Sequence, residues 1–370
     1  MINKTPPLYS KQAVSHYISS FNNPYLCHIS NVVTKMDELS VSSSLVLPIT
    51  INDSDYQNSY VCSPYTALVP YCKEELEKVD SIFIQYAVNG LIYIFDIILK
   101  KSKINKICQV NNWLLSTNLF PASLKKTHIN ESKKTLVANY PTHLLMYRSL
   151  NYYTNRNLIE YFLELGFELI PTRQVYIFDK RINDFSKTHN YKMDRKLLNK
   201  TDYCYVPQNK ILPSDIPRIV ELYNALYIEK YSQHNPKFTH SYIEMIIEHP
   251  NFYIEGFRNK NGVLDAVGGR FEIDGVVTLP IVGYDTKKPT KLGLYRLLVI
   301  STLQYTEDKN LVFNASSGAS KFKLLRGATP YIEYSAIYSK HLLFGRRLIW
   351  QVLQVLLKHI FIPIVKRYKL

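Results

Sequence analysis

The chain has 370 residues, of which 46% are hydrophobic and 13% aromatic, with a formal charge of +15 and an isoelectric point near 9.3. That length exceeds one ordinary domain and suits two of about 150–200 residues, and the apolar content excludes a disordered chain. The charge calls for acidic partners: coenzyme phosphates, an acidic carrier protein, RNA or an anionic membrane face.

Residues 1–25 are polar and proline-bearing, which predicts a loosely held lead-in, and MINKTPPLYSKQAV lacks the apolar stretch of a signal peptide. Cys27, Cys62, Cys72, Cys108 and Cys204 are odd in number and contain no CxxC pair, so they read as buried, reduced thiols; the expectation is a cytosolic protein. Leu45–Ile51 and Ser59–Cys62 flank the turn-rich NDSDYQN and predict paired strands, with Pro48 at a sheet edge. Thr66–Val79 has helical spacing, its start set near Pro70. Ser81–Leu99 is the most apolar run of this half; Gln85, Asn89 and Asp96 mark it as a buried helix rather than a membrane span.

Lys106–Val110 predicts a strand delivering the polar loop Asn111–Asn118, where Asn112 either lines a pocket or satisfies the backbone of a capped turn. A basic amphipathic stretch (Leu124–Ala138), a strand (His143–Arg148), a helix (Asn155–Leu165) closed by Gly166, and a strand (Arg173–Phe178) follow. Asp179–Pro213 is polar and reads as a connection. Beyond it Ile219, Leu222, Tyr223, Leu226, Tyr227 and Tyr231 share one helical face, and a second helix spans Ser241–Glu248. Phe252–Arg258, Val263–Ile273 and Val276–Tyr284 predict three strands, the last two joined by the hairpin pair Asp274-Gly275.

The stretch Asn314–His341, NASSGASKFKLLRGATPYIEYSAIYSKH, concentrates the chemistry. Small residues at a strand end, Ser316-Ser317-Gly318, let a ligand approach the backbone. Lys323 and Arg326, three apart, share a helical face that suits an anionic group, or else pair with Glu333 and Asp285. The pattern SSGAS-x-FK-x-x-RGA, then EY-x-x-x-Y-x-x-HL, with Gly293-Leu294-Tyr295-Arg296 upstream, resembles the GNAT superfamily of acyltransferases. Within it the nearest likeness is to the bacterial branch with tandem GNAT-like domains, related to the Fem-type aminoacyltransferases, over residues ~105–350.

The resemblance implies an α/β chain of two tandem GNAT-like domains, each a mostly antiparallel sheet flanked by helices. An N-terminal domain (1–180) would shape the acceptor cleft. A connecting segment (181–212), a catalytic domain (213–345) and an apolar helix with a basic tail (346–370) would follow. It also implies an N-acyltransferase using acyl-CoA or acetyl-CoA, or an acyl-carrier protein, with no metal. The acyl group would pass by direct attack to an amine on a small molecule, sugar or lipid precursor.

In such a protein Lys291, Leu292, Gly293, Leu294, Tyr295 and Arg296 would wrap the donor pyrophosphate at a helix start, with Ser316, Ser317 and Gly318 polarising the acyl group. Glu333 or His341 would be the base and Tyr338 the acid; Lys323, Arg326, Asp285, Tyr231 and Asn112 would contact substrate. On an extended strand Glu333 and Tyr338 point to opposite faces. The usual Arg/Gln-x-x-Gly-x-Gly/Ala loop is absent, which keeps open a second donor, a Fem-type aminoacyl-tRNA, the one reading that involves RNA; no DNA-binding motif is present. A third reading is a non-catalytic, membrane-associated scaffold.

From Arg347 to Ile360 the polar positions Arg347, Gln351, Gln354 and Lys358 form a narrow stripe on an apolar helix, which predicts burial or docking to a membrane. Pro363 stops it and Lys366, Arg367 and Lys369 follow, so the expected location is cytoplasmic, with peripheral contact at the inner membrane face through 347–370. GxGxxG, Walker, HExxH and GxSxG patterns are absent and the histidines are scattered, which speaks against nucleotide, metal and serine-nucleophile chemistry.

Overall fold

The computed structural model describes residues 11–76 and 82–363. Its first half contributes α1 (Lys11–Phe21), β1 (Lys35–Ser40), β2 (Val46–Asn52), α2 (Pro64–Leu68), α3 (Pro70–Leu76), α4 (Ile82–Lys101), β3 (Ile107–Val110), α5 (Lys126–Asn139), β4 (Leu144–Asn151), α6 (Arg156–Glu164) and β5 (Glu168–Phe178). The second half contributes α7 (His189–Lys200), β6 (Cys204–Val206), α8 (Ile216–Tyr223), α9 (His240–Glu248), β7 (Phe252–Arg258), β8 (Leu264–Ile273), β9 (Val276–Tyr284), α10 (Leu294–Asp308), β10 (Val312–Asn314), α11 (Ser320–Leu324), β11 (Thr329–Tyr338) and α12 (Phe344–Leu356).

All eleven strands join one mixed sheet in the order β1-β2-β3-β4-β11-β5-β10-β9-β8-β7-β6. Only β3/β4 and β9/β10 are parallel, and each pair is crossed over by a helix, α5 and α10 respectively. Each half sends its last strand across the middle: β11 lies between β4 and β5, while β5 lies between β11 and β10. The pairing of β5 with β11, from Thr329↔Ile177 to Ile337↔Glu168, therefore binds the halves along their longest seam.

The second half follows the order helix, helix, three antiparallel strands, helix, strand that the resemblance implies. Its Asp274-Gly275 turn holds both residues at positive φ, 43° and 82°, the twist that lets β8 run directly into β9. After α8 the helix widens into a π-helical turn over Asn224–Tyr231, with Tyr223 stacked on Tyr227 at 4.9 Å.

Several local expectations change. Residues 11–21 are not a loose lead-in: Ala13, Val14, Tyr17 and Ile18 recur at helical spacing and bury against the core, while residues 1–10 lie outside the described residues. The partner of β2 is β1, in register Lys35↔Ile51, not Ser59–Cys62, whose chain instead turns into α2. The Ser63 side chain accepts from Thr66 N there, closing an N-cap. Pro48 is not at an edge, because β2 is flanked by β1 and β3; its ring is tolerated since pairing with β3 starts one residue on, at Ile49↔Val110. The helix expected over Thr66–Val79 breaks between Leu68 and Pro70, whose nitrogen carries no hydrogen; Val79, and Ser81 of the next run, lie outside the described residues.

The polar segment 181–212 is largely helical. Thr188 caps α7 by accepting from Tyr191 N, and Tyr191 and Asp194 are buried. Its sequence looks like a linker because α7 docks through only a few apolar residues, Tyr191, Leu197 and Leu198, together with the buried carboxylate of Asp194. At the other end of the chain α12 buries Trp350 and Leu353 but exposes Leu348, Val352 and Val355. Lys366, Arg367 and Lys369 lie outside the described residues, and no described helix is long and apolar enough to cross a membrane.

Candidate functional site

The seam between the halves gathers charge that neither half displays alone. Beyond β10 the chain enters Ser316, Gly318 and Ala319 with φ of 58°, 77° and 48°, so the loop turns three times into the left-handed region, which only Gly318 adopts without a Cβ penalty. Ser316 N donates to Asn314 Oδ1 (3.0 Å), and Ser316 Oγ accepts from Thr117 Oγ1 (3.1 Å), which arrives on the loop after β3. Lys323 on α11 reaches underneath: its Nζ donates to Ala315 O (2.7 Å), Ser316 O (3.3 Å) and Ser317 O (2.8 Å). Burial, then the neighbouring Arg173, pushes the Lys323 amine down to about 7. The three carbonyl acceptors pull the other way by favouring the ammonium.

Arg173 of β5 is the hub. Its Nε donates to Glu333 Oε1 (2.8 Å) on β11, and its Nη2 donates to Ser116 O (2.6 Å) and Thr117 Oγ1 (3.0 Å). Nη1 reaches Ser317 Oγ (3.4 Å). One guanidinium thus ties together a strand of each half and a loop of each half. The adjacent Arg148 of β4 donates to Val61 O and lies 6.0 Å from the Tyr60 ring centre. Burial raises the Tyr60 phenol, while the charges of Arg173 and Arg148 oppose that rise.

From this cationic floor a wall of phenols extends outward. Tyr71 packs on Tyr60 at 5.4 Å, Tyr227 on Tyr231 at 5.9 Å and Tyr284 on Tyr295 at 6.2 Å, along the π-helical turn, β9 and α10. Tyr60, Tyr71, Tyr227, Tyr284 and Tyr295 are each partly exposed, whereas Tyr223 behind them is buried. Arg148, Arg173, Lys323 and Glu333 thus gather at the seam with these phenols beside them, three cationic side chains to one carboxylate.

The sequence-derived site residues distribute as follows. Glu333, Lys323, Ser316, Ser317 and Gly318 meet at the seam, and Tyr231 stands at the outer wall, 42% exposed. Glu333 pairs with Arg173, not with Lys323 or Arg326; Arg326 instead donates through Nε to Asp194 Oδ2 (2.6 Å). Asp285 accepts from Arg218 Nη2 (2.9 Å), so neither Lys323 nor Arg326 pairs as the charge pattern suggested. Asn112 spends its amide on Thr50 Oγ1, Val61 O and Gln109 Oε1, and its Oδ1 accepts from Leu114 N, which places it within the loop's own scaffold.

Tyr338 and His341 sit away from Glu333. Tyr338 is five residues further along the strand, roughly 16 Å at strand rise. The two rings stack at 5.6 Å beside Phe167, and His341 Nε2 donates to His143 O (2.8 Å). Burial chiefly lowers the His341 pKa. Irregular register on either side of Tyr334 breaks the simple alternation between Glu333 and Tyr338.

At the start of α10, Gly293 adopts φ 67°, and a Cβ there would stand 2.6 Å from Leu197 of α7. Arg296 Nε donates to Asp194 Oδ1 (2.6 Å), Leu294 is buried, Tyr295 packs on Phe322 at 4.8 Å, Leu292 is half-buried and Lys291 is exposed. Asp194 thus chelates two arginines, Arg296 and Arg326, while only 1% exposed. Arg173, Arg148, Tyr60, Thr117 and Asp194 were not singled out from sequence. A visible signal existed for the arginines, each bordering an otherwise apolar strand run, since a buried charge needs partners. Among the described residues no group of three or more His, Cys, Asp or Glu is placed to hold a metal.

No family model matches the chain, and no curated protein sequence does so either. Among solved structures it is similar to FemX at 9% identity, covering 62% of this chain and 80% of that one with a TM-score of 0.46. It is also similar to L-PGS from Bacillus licheniformis (14% identity, 62% and 78% covered, TM-score 0.44). A third likeness is to a tandem GNAT protein from the clavulanic acid biosynthesis pathway (10% identity, 62% and 75% covered, TM-score 0.35).

Proposed function

We propose that the protein is a transferase that moves an acyl group from an acyl thioester such as acyl-CoA to an amine held at the seam. The observation that carries this reading is the Arg173–Glu333 pair, fixed by strands of both halves and neighboured by Arg148, Lys323 and Tyr60. In this reading the amine nitrogen bonds to the acyl carbon, its proton passes to Glu333, the carbon–sulfur bond breaks and the thiolate leaves. Arg173 orients the carboxylate and the left-handed Ser316–Gly318 loop lies beside the acyl oxygen. Direct attack is consistent with Cys62 and Cys108, whose thiols burial pushes up to about 12 and so away from nucleophilic use.

A second donor is favoured by one observation. Leu197 covers Gly293 and Asp194 engages Arg296, so the helix start that would wrap a coenzyme pyrophosphate is packed beneath α7. That arrangement supports an aminoacyl-tRNA donor. Native mass spectrometry of freshly purified protein, with acetyl-CoA and then a long-chain acyl-CoA, separates the two. A discrete adduct with either donor supports the thioester reading. No adduct, with co-purifying RNA whose affinity falls steeply with salt, moves the assignment to the tRNA donor.

A further inference from the structure

A second surface, remote from the chemistry of the seam, is built by α4 and α12. Both helices bury one face in a common core: Leu99 with the flanking Ile92 and Phe95 from α4, and Trp350 and Leu353 with Ile349 from α12. Arg346 locks them together. Its Nε donates to Ser102 O (3.1 Å) and its Nη2 to Lys103 O and Lys106 O (3.1 Å each), tying the turn that follows α4 to the first turn of α12.

The remaining faces are apolar and open. On α4 Tyr93 (68% exposed), Ile94, Ile97 and Ile98 project outward. On α12 and its entry Leu343 (82%), Phe344 (76%), Leu348, Val352 and Val355 do the same. Nine large apolar side chains on two linked helices exceed the scattered exposure of an ordinary surface.

Charge selects the occupant. Lys100 and Lys101 close α4 and Lys103 follows it, while Lys340 precedes α12, Arg347 lies in its first turn and Lys358 follows it. From Lys340 to the last residue the sequence contains no Asp or Glu. The one carboxylate of α4 in this region, Asp96, is tied to Lys100 (2.8 Å). A second copy of the chain would bring the same cations against these, within a molecule of formal charge +15. An anionic bilayer surface satisfies both features, taking the apolar side chains into its acyl boundary while the lysines meet the head groups.

We propose that the α4/α12 shelf docks the protein on anionic membrane surfaces, a role that goes beyond the transfer reaction and does not depend on it. The test is sedimentation of the full chain with sucrose-loaded vesicles of phosphatidylcholine alone, or with 30% phosphatidylglycerol. Three proteins are compared: wild type, Tyr93→Ser/Ile97→Ser and Phe344→Ser/Leu348→Ser. All changes are at exposed positions, and circular dichroism verifies the fold.

Wild type is expected to bind the anionic vesicles at least tenfold more tightly than the neutral ones, with each double variant weakened at least tenfold. Lys101→Glu is expected to weaken binding to anionic vesicles several-fold and leave neutral vesicles unaffected. Absence of wild-type binding, equal binding by the variants, or a concentration-dependent dimer abolished by the same substitutions would each overturn the proposal.

Discussion

Replacing Arg173 with Met removes the hub of the seam while roughly keeping its volume. The partner it abandons, Glu333, has a side chain only 4% exposed, whereas Arg173 itself is 21% exposed. An uncompensated buried carboxylate costs about 3–5 kcal/mol. Water reaching the arginine side of the pair argues for the lower end, and the lost donors to Ser116 O and Thr117 Oγ1 add about 1 kcal/mol. We therefore expect Arg173→Met to lower unfolding stability by roughly 4 kcal/mol. Arg173→Met/Glu333→Leu should recover to within about 1 kcal/mol of wild type, because replacing both members of a buried pair is often neutral. The coupling between the two sites, at least about 3 kcal/mol and larger by whatever Glu333→Leu costs alone, is read from a double-mutant cycle in urea followed by tryptophan fluorescence. A single variant within 1 kcal/mol of wild type, or a double variant as unstable as the sum of the singles, would refute the reasoning.

Lys323 sets a pH dependence. Its folded-state pKa is lowered to about 7 from 10.5, so between those values the unfolded chain binds more protons and stability rises with pH. Wild type should gain on the order of 3 kcal/mol more than Lys323→Met between pH 7 and pH 9.5, measured by urea midpoints at each pH; equal slopes would contradict this. Asp194→Ala leaves Arg296 and Arg326 without their shared carboxylate and should cost about 3–5 kcal/mol, with new protease cleavage in α7 on limited digestion. Native thiol labelling at pH 7.5, mapped by mass spectrometry, should modify exposed Cys27 and Cys204 and spare Cys62 and Cys108; prompt labelling of the buried pair would mean the first half opens easily.

Much of the second half was legible because its signals are local. Asp274-Gly275 declares a hairpin by its left-handed preference, and the spacing of Ile219, Leu222, Tyr223 and Leu226 declares α8 whatever lies across from it. The small residues Ser316 to Ala319 likewise mark a loop needing positive φ. Elsewhere local patterns misled. Residues 11–21 looked like a polar lead-in because a single narrow stripe suffices to dock α1, and α7 looked like a linker because three apolar residues and the Asp194 carboxylate suffice to anchor it. Of the site, Glu333 and Lys323 were chosen for their chemistry, yet their partners were misjudged: proximity in sequence suggested Lys323 or Arg326 for Glu333, while Arg173 stands 160 residues away.

The sequence by itself determined the turns, the helical faces and the strand runs, since each follows from conformational preferences and periodicities that act within a few residues. The tertiary structure alone decided that β5 and β11 cross to opposite halves, and hence which charges meet at the seam. The runs that became β4, β5 and β11 are alike as apolar strands, so nothing local ranks their possible neighbours. Their order is set by which assembly buries all of them while leaving Arg173, Glu333 and Asp194 paired, a condition satisfied only by the whole sheet.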